Sequence, residues 1–275
     1  MSLRATIAAD LAAAGLAPLH RLGQNFMIDE HALARLVDEL RLVPGERVVE
    51  VGPGTGVLTE RLLLAGARVL AVELDRGLAG LLTAKLVPRG LELVHGDALA
   101  SKSRLHPDIE RFAGEGPWKL GANLPYDIAL PVLLDAAALP RPPLLAVVTV
   151  QWEAAQRLCA KPGSDAWGAS AAVLQAAGVP VIVRRLGPAS FHPQPRVDSA
   201  ILRWTPSRPL PDGFGVWCRA VFAARRKVLP RALRDAGQER GPADAAVAAC
   251  GLDPSRRLES LTPDEMLALH AALTP

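Results

Sequence analysis

The sequence predicts an α/β protein in which a parallel sheet, covered by helices on both faces, precedes a small all-helical C-terminal domain. Three observations predict it. Apolar runs alternate with helical patterns over the first 150 residues, a glycine-rich turn joins the first run to the helix after it, and no strand pattern occurs after residue 214. Strands are expected at 46–51, 67–73, 91–94, 118–122 and 144–150, with helices at 58–64, 76–86 and 128–138 between them. Before the first strand, Asp29 is placed to cap a helix whose apolar positions Leu33, Leu36, Val37 and Leu40 share a face, and Pro44-Gly45 closes it. Segments 179–186 and 199–204 read as two further strands at the sheet edge. The turn Phe191-His192-Pro193-Gln194-Pro195 lies between them. A proline-rich stretch near 206–212 is the expected boundary. It divides a catalytic domain over 1–206 from a helical domain over 212–275.

Composition narrows the class. In 275 residues, half are apolar and 21% are charged, which excludes wholesale disorder. No apolar run approaches the ~18 residues of a membrane span, and the N-terminus has no signal-peptide shape. The expectation is a soluble, cytoplasmic protein. Cys159, Cys218 and Cys250 are few and far apart, which argues against a disulfide framework or a zinc site. The histidines show no metal-ligand spacing, and no metal is expected. Net charge is only +3, yet residues 184–240 hold twelve basic and four acidic side chains. Such a block suits a polyanion partner, and equally a solvated arginine-rich surface.

The chemistry is concentrated at strand ends. Glu50-Val51-Gly52-Pro53-Gly54-Thr55-Gly56 follows the first strand and opens a helix, so glycines bring the backbone close to a ligand beside free N–H groups. Glu73 ends the second strand, where a carboxylate accepts from ribose hydroxyls, and Asp97 follows the third, where it accepts from an adenine amine. A dinucleotide fingerprint requires glycine at position 57, which is Val57. The pattern suits S-adenosylmethionine better than NAD, and a class I (Rossmann-like) methyltransferase sheet is the expectation. A tight strand-to-helix turn without a ligand is the bland alternative.

After the fourth strand comes Asn123-Leu124-Pro125-Tyr126. An exocyclic base amine is a poor nucleophile because its lone pair is delocalised into the ring. Two acceptors aimed at its hydrogens localise that pair, and the Asn123 side-chain oxygen and Leu124 carbonyl are suited to the task. Pro125 fixes the turn without a competing N–H, and Tyr126, the only tyrosine, is suited to stack on a base drawn out of its helix. Phe191 is a second candidate stacking face or a core residue. Arg225-Arg226-Lys227, on a helical pattern, suits phosphate contact.

Together these residues resemble the KsgA family, the small-subunit (16S) ribosomal RNA adenine N6,N6-dimethyltransferases. The likeness spans nearly the whole chain: Leu22-Gly23-Gln24-Asn25-Phe26, the 52–56 loop, Glu73-Leu74-Asp75, Gly96-Asp97-Ala98, 123–126, Gln151 and Glu153, Pro162-Gly163-Ser164, 191–200, Phe222 and 225–227. The resemblance implies methyl-donor contacts at Asn25, Met27, Gly52, Gly54, Glu73, Asp97 and Asn123, with 24–26 closing over the cofactor. The substrate contacts expected from the residues themselves are Tyr126, Phe191, Arg225, Arg226 and Lys227. The resemblance also implies, as target, two adjacent adenosines near the 3′ end of 16S rRNA in an assembling pre-30S particle, modified by a monomer. The sequence departs from the family at four places. His20-Arg21 stands where basic residues are usual, Trp152 where lysine is, Trp167 where tyrosine is, and Pro230 closely follows the basic triplet. The alternatives are a 23S rRNA adenine dimethyltransferase of the antibiotic-resistance type and a non-catalytic assembly factor.

Overall fold

The strand ends carrying the expected chemistry converge because five apolar strands pair in parallel. The computed structural model describes residues 2–19, 22–101 and 104–274; the His20-Arg21 departure lies outside them. In chain order the elements are α1 (Leu3–Ala13), β1 (Phe26–Met27), α2 (Glu30–Leu40), β2 (Arg47–Val51), α3 (Val57–Leu64), β3 (Arg68–Glu73), α4 (Arg76–Lys85), β4 (Glu92–His95), β5 (Leu99–Ser101), β6 (Arg104–Leu105) and α5 (Pro107–Gly114). There follow β7 (Lys119–Asn123), α6 (Ala129–Ala138), β8 (Leu145–Gln151), α7 (Trp152–Leu158), α8 (Ala169–Ala177), β9 (Gly178–Leu186), β10 (Phe191–His192) and β11 (Ser199–Pro206). Helices α9 (Phe214–Phe222), α10 (Leu229–Asp235), α11 (Arg240–Ala249) and α12 (Pro263–Leu273) complete the chain.

The main sheet runs β4-β3-β2-β7-β8-β11-β9. Strands β2, β3, β4, β7 and β8 are mutually parallel, whereas β11 runs antiparallel to both β8 and β9. β9 therefore forms this edge of the sheet, with β4 at the opposite one, and β11, expected beside β9 at the edge, is inserted one place inward. Its burial fits: Ala200, Ile201, Leu202 and Trp204 are buried, while β9 shows exposed residues along its length.

Each sheet face has its own core. Helices α1–α4 pack Leu33, Leu36, Leu62 and Leu82 against Val48, Val69 and Val147. On the other face α5 and α6 pack Phe112, Val132 and Leu133 against Val49, Leu120 and Val148. Asp29 caps α2 as the sequence predicts, its carboxylate accepting from the Ala32 N–H at 3.0 Å.

The tail forms a third core in which Phe214, Val221, Leu229, Leu233, Met266 and Leu269 pack on Trp167, Ala172 and Ala176. Helix α8 thus serves two cores, since its Leu174 and Ala177 belong to the sheet side. The strand-to-helix change falls between Pro206 and Phe214, but the packing of the tail reaches back to 160–176. Trp167 is a packing residue there, fully buried and edge-on to Phe222 at 6.4 Å.

Candidate active site

Parallel pairing aligns the carboxyl ends of β2, β3, β4 and β7 along one rim, where ligands bind in open α/β sheets. The cleft at that rim is lined by residues from every strand end the sequence singled out: Asn25 and Met27; Gly52 and Gly54; Glu73; Asp97; and the whole Asn123-Leu124-Pro125-Tyr126 turn. Every expected methyl-donor residue therefore lines one cleft.

The glycine loop is held open by geometry. Gly54 has φ +62°, and a Cβ there would lie 2.9 Å from the Phe26 ring. Gly52, at φ +67°, would bring a Cβ to 3.2 Å from Pro125. A side chain at either position meets both the backbone penalty and a neighbour. The two loops carrying donor-site and acceptor-site residues thus touch through Gly52 and Pro125.

Glu73 is buried, and its carboxylate accepts from the Gly54 N–H at 3.1 Å and the Asp75 N–H at 2.8 Å. Burial pushes its pKa up, against the lowering effect of those N–H groups. Its remaining lone pairs are suited to ribose hydroxyls. Asp97 is exposed, and its Oδ1 accepts from the Leu99 N–H at 2.9 Å.

Glu50 received no role from sequence reasoning. It lines the same cleft at 1% exposure, accepts from the Thr59 hydroxyl at 2.7 Å, and has its pKa pushed by burial to about 8. The Thr55 hydroxyl, also in the cleft wall, is buried without a protein partner. The available signal was position: Glu50 is the penultimate residue of β2, two residues before Gly52.

The segment before α2 comes to the cleft through specific bonds. Gln24 accepts from the Leu19 N–H at 2.7 Å and donates to Asp75 at 3.0 Å. Asp75 in turn caps α4 through the Gly77 and Leu78 N–H groups. Strand β1 pairs antiparallel with β10, so Met27 faces Phe191 in register. This pairing corrects the stacking candidate: Phe191 is 1% exposed inside the core under α1–α4, and its ring has no free face for a base. Burial of a large apolar ring outweighs any exposed role, at about 1.5–3 kcal/mol for a full side chain.

At the fourth strand end, Asn123 Nδ2 donates to the Asn25 carbonyl at 2.9 Å, and Asn123 Oδ1 accepts from the Thr149 hydroxyl. Pro125 accepts from the Ile128 N–H at 3.2 Å, closing the turn into α6. The Tyr126 hydroxyl and the Ser199 Oγ lie 2.6 Å apart, and burial raises the phenol's pKa. Next to that contact, Arg185 stacks 4.7 Å over Trp152 and pairs with Asp198.

The basic triplet sits elsewhere and differs from expectation in form. Helix α9 ends at Phe222 and α10 begins at Leu229 with Pro230 in its first turn, so Arg225, Arg226 and Lys227 occupy a turn, not a helix. Arg225 pairs with Glu259 at 3.7 Å, and the Arg225 and Lys227 carbonyls accept from Glu259 and Leu258. Much of the basic block is internally paired: Arg184 with Asp29, Arg203 with Glu39, Arg208 with Asp264 and Arg231 with Asp235. Among the described residues no cluster has metal-ligand spacing, and no helix is long and apolar enough to cross a membrane.

A glycine cradle, a buried carboxylate at the next strand end and acceptors on the two after it define a class I S-adenosylmethionine-dependent methyltransferase. The profile of the ribosomal RNA adenine dimethylase family matches residues 19–274, and the chain belongs to that family. It is 39% identical over 274 residues to the ribosomal RNA small subunit methyltransferase A of Geobacter metallireducens, covering 94% of this chain and 96% of the relative. Among solved structures it is similar to a dimethyladenosine transferase from Plasmodium falciparum (TM-score 0.73, 20% identity, 89% of this chain and 95% of that one). It is also similar to the 23S rRNA methyltransferase ErmE (TM-score 0.65, 25% identity, 91% and 100%). The enzyme is an S-adenosylmethionine-dependent ribosomal RNA adenine dimethyltransferase.

Proposed function

We propose that this chain dimethylates N6 of two adjacent adenosines near the 3′ end of 16S rRNA, acting as a cytoplasmic monomer on an assembling pre-30S particle. The observation that carries the chemistry is the convergence of Gly52, Glu73, Asp97 and the 123–126 turn on one cleft. The preference for the small subunit rests on the relatives: at 39% identity over nearly the full chain the likeness is to a small subunit methyltransferase, against 25% to the large-subunit enzyme.

The cofactor supplies a methyl group on a sulfonium, electrophilic without metal assistance. The cleft's residues fit it. Gly54 leaves the backbone bare, Glu73 presents a carboxylate to the ribose, Asp97 presents one to the adenine, and Thr55 retains an unmatched hydroxyl. Asn123 Oδ1 and the Leu124 carbonyl take the two hydrogens of the target amine, and Tyr126 stacks on the flipped base. No strong general base is required, because the amine becomes acidic only once it carries the new methyl group, and its proton then passes to water. Orientation and preorganised acceptors supply the rate. Arg225, Arg226 and Lys227 contact phosphates away from the cleft.

Labelled methyl transfer to unmethylated small subunits, large subunits and naked 16S rRNA in parallel tests this reading. Incorporation confined to small-subunit material is the expected result. Preferred labelling of large subunits would favour the 23S alternative, and no labelling of any substrate would favour the assembly factor.

A further inference from the structure

We propose that Thr149 is a positioning residue, whose hydroxyl fixes the orientation of the Asn123 carboxamide for methyl transfer. The inference rests on the reading of Asn123 as an acceptor of the target amine. Thr149 lies on β8 directly in register with Asn123 on β7, and its Oγ1 donates to Asn123 Oδ1. On its other side Thr149 is in register with Ile201 of β11, and it is 0% exposed. It is a polar side chain in a run, Leu145 to Val150, that is otherwise apolar and wholly buried. A hydroxyl there is costly unless it finds a partner, and valine would fill the same volume without that requirement. The partner it finds is the acceptor oxygen of Asn123.

A carboxamide is nearly symmetric in shape but not in chemistry, so a half-turn of its plane exchanges acceptor and donor. The Asn25 carbonyl can only accept, and it holds Nδ2 at 2.9 Å. The Thr149 hydroxyl donates to the other end. The Asn25 carbonyl selects the orientation, and the hydroxyl, which then donates to Oδ1, holds the selected one in place. In the reversed one, two oxygens would face each other at Asn25. With both ends held, the second lone pair of Oδ1 stays fixed in the wall of the cleft. The Asn25 contact alone leaves the carboxamide tethered at a single point, free to rock about it. Thr149 supplies the second point, from a strand rather than a loop, and strands hold a group more rigidly.

Four variants decide the matter: Thr149→Val, Thr149→Ser, Asn123→Ala and the double variant Asn123→Ala/Thr149→Val. Single-turnover transfer to unmethylated small subunits is measured beside S-adenosylmethionine affinity by calorimetry. Thr149→Val is expected to lower the transfer rate about 10- to 100-fold with cofactor affinity within about twofold, the scale of one buried hydrogen bond. Thr149→Ser, which keeps the hydroxyl, should remain within about threefold of the parent. In the Asn123→Ala background, Thr149→Val should have little further effect, because its role runs through Asn123. A normal rate for Thr149→Val beside an inactive Asn123→Ala would overturn the positioning role and leave the Asn123 reading intact. Equal losses for the Ser and Val variants, or additive losses in the double variant, would show a packing role instead. A near-normal rate for Asn123→Ala would overturn the Asn123 reading, and the positioning role with it.

Discussion

The side chain of Asn123 donates to the backbone carbonyl of Asn25, 98 residues earlier in the chain, at 2.9 Å. One bond therefore ties the strand end at Asn123 to the segment before α2, which lines the same cleft. Gln24, next to Asn25, is tied to Asp75 beyond the second strand end. The loop before α2 is thus fastened to both halves of the site.

Asn123→Ala is expected to keep cofactor affinity within a few-fold while lowering transfer about 100- to 1000-fold, the scale of one lost transition-state hydrogen bond. Calorimetry and single-turnover transfer separate the two effects. Equal losses in both would make Asn123 a cofactor residue only.

Glu73→Ala should weaken S-adenosylmethionine binding without changing RNA affinity. A carboxylate accepting from ribose hydroxyls contributes about 1.5–3 kcal/mol. Glu73 also accepts from the Gly54 and Asp75 N–H groups, one on each carboxylate oxygen, so Glu73→Gln, which keeps one acceptor oxygen, disturbs the loop less than Glu73→Ala. Unchanged affinity in both variants would remove Glu73 from the site.

Stability should fall as pH rises through the range that Glu50 controls. Its folded pKa is about 8, raised by burial from an ordinary value of 4.5, so between those values the folded state holds a proton that the unfolded state has released. The unfolded state binds fewer protons, and unfolding free energy declines with pH across that window. Glu73, raised in the same direction, adds to the effect. Glu50→Gln keeps the size of the side chain and can still accept from Thr59. Thermal unfolding at pH 5 and pH 8 should show a smaller loss for Glu50→Gln than for the parent. An identical loss in both would place the ionisation elsewhere.

Neutralising Arg225, Arg226 and Lys227 together should weaken small-subunit binding and flatten its salt dependence, by about 0.7–0.9 in log–log slope per phosphate contact. The Arg225–Glu259 pair predicts some cost to stability as well. Cofactor affinity should hold, since none of the three residues lines the cleft. A lowered melting temperature with an unaltered salt slope would make the triplet a structural turn.

Most of the sheet and its rim were legible because their signals are local. An apolar run ending in Gly52, Glu73 or Asn123 states both the strand and its functional end. What escaped depends on distant partners. The β1–β10 pair is only two residues long on each side, too short for periodicity to show, and it alone makes Phe191 a core residue. Helix α1 carries Leu3, Ile7 and Leu11 at a spacing of four, a signal diluted by surrounding alanines. The place of β11 inside the edge depends on which strand β9 pairs with, which no local pattern encodes. Thr149 was invisible for the same reason: only the register of β7 with β8 brings it to Asn123. The turn at 225–227 resembles a helix in composition, and the tertiary bonds to 258–259 decide otherwise.

The most direct measurement of the central claim is the identity of the modified nucleoside. Small and large subunits lacking the modification are incubated separately with this protein and S-adenosylmethionine, and their RNAs are digested to nucleosides and analysed by mass spectrometry. N6,N6-dimethyladenosine is expected in the small-subunit RNA, confined on fragment mapping to two adjacent adenosines near its 3′ end, and none in the large-subunit RNA. Dimethyladenosine in the large-subunit RNA, or a methyl group on any atom other than N6, would contradict the claim.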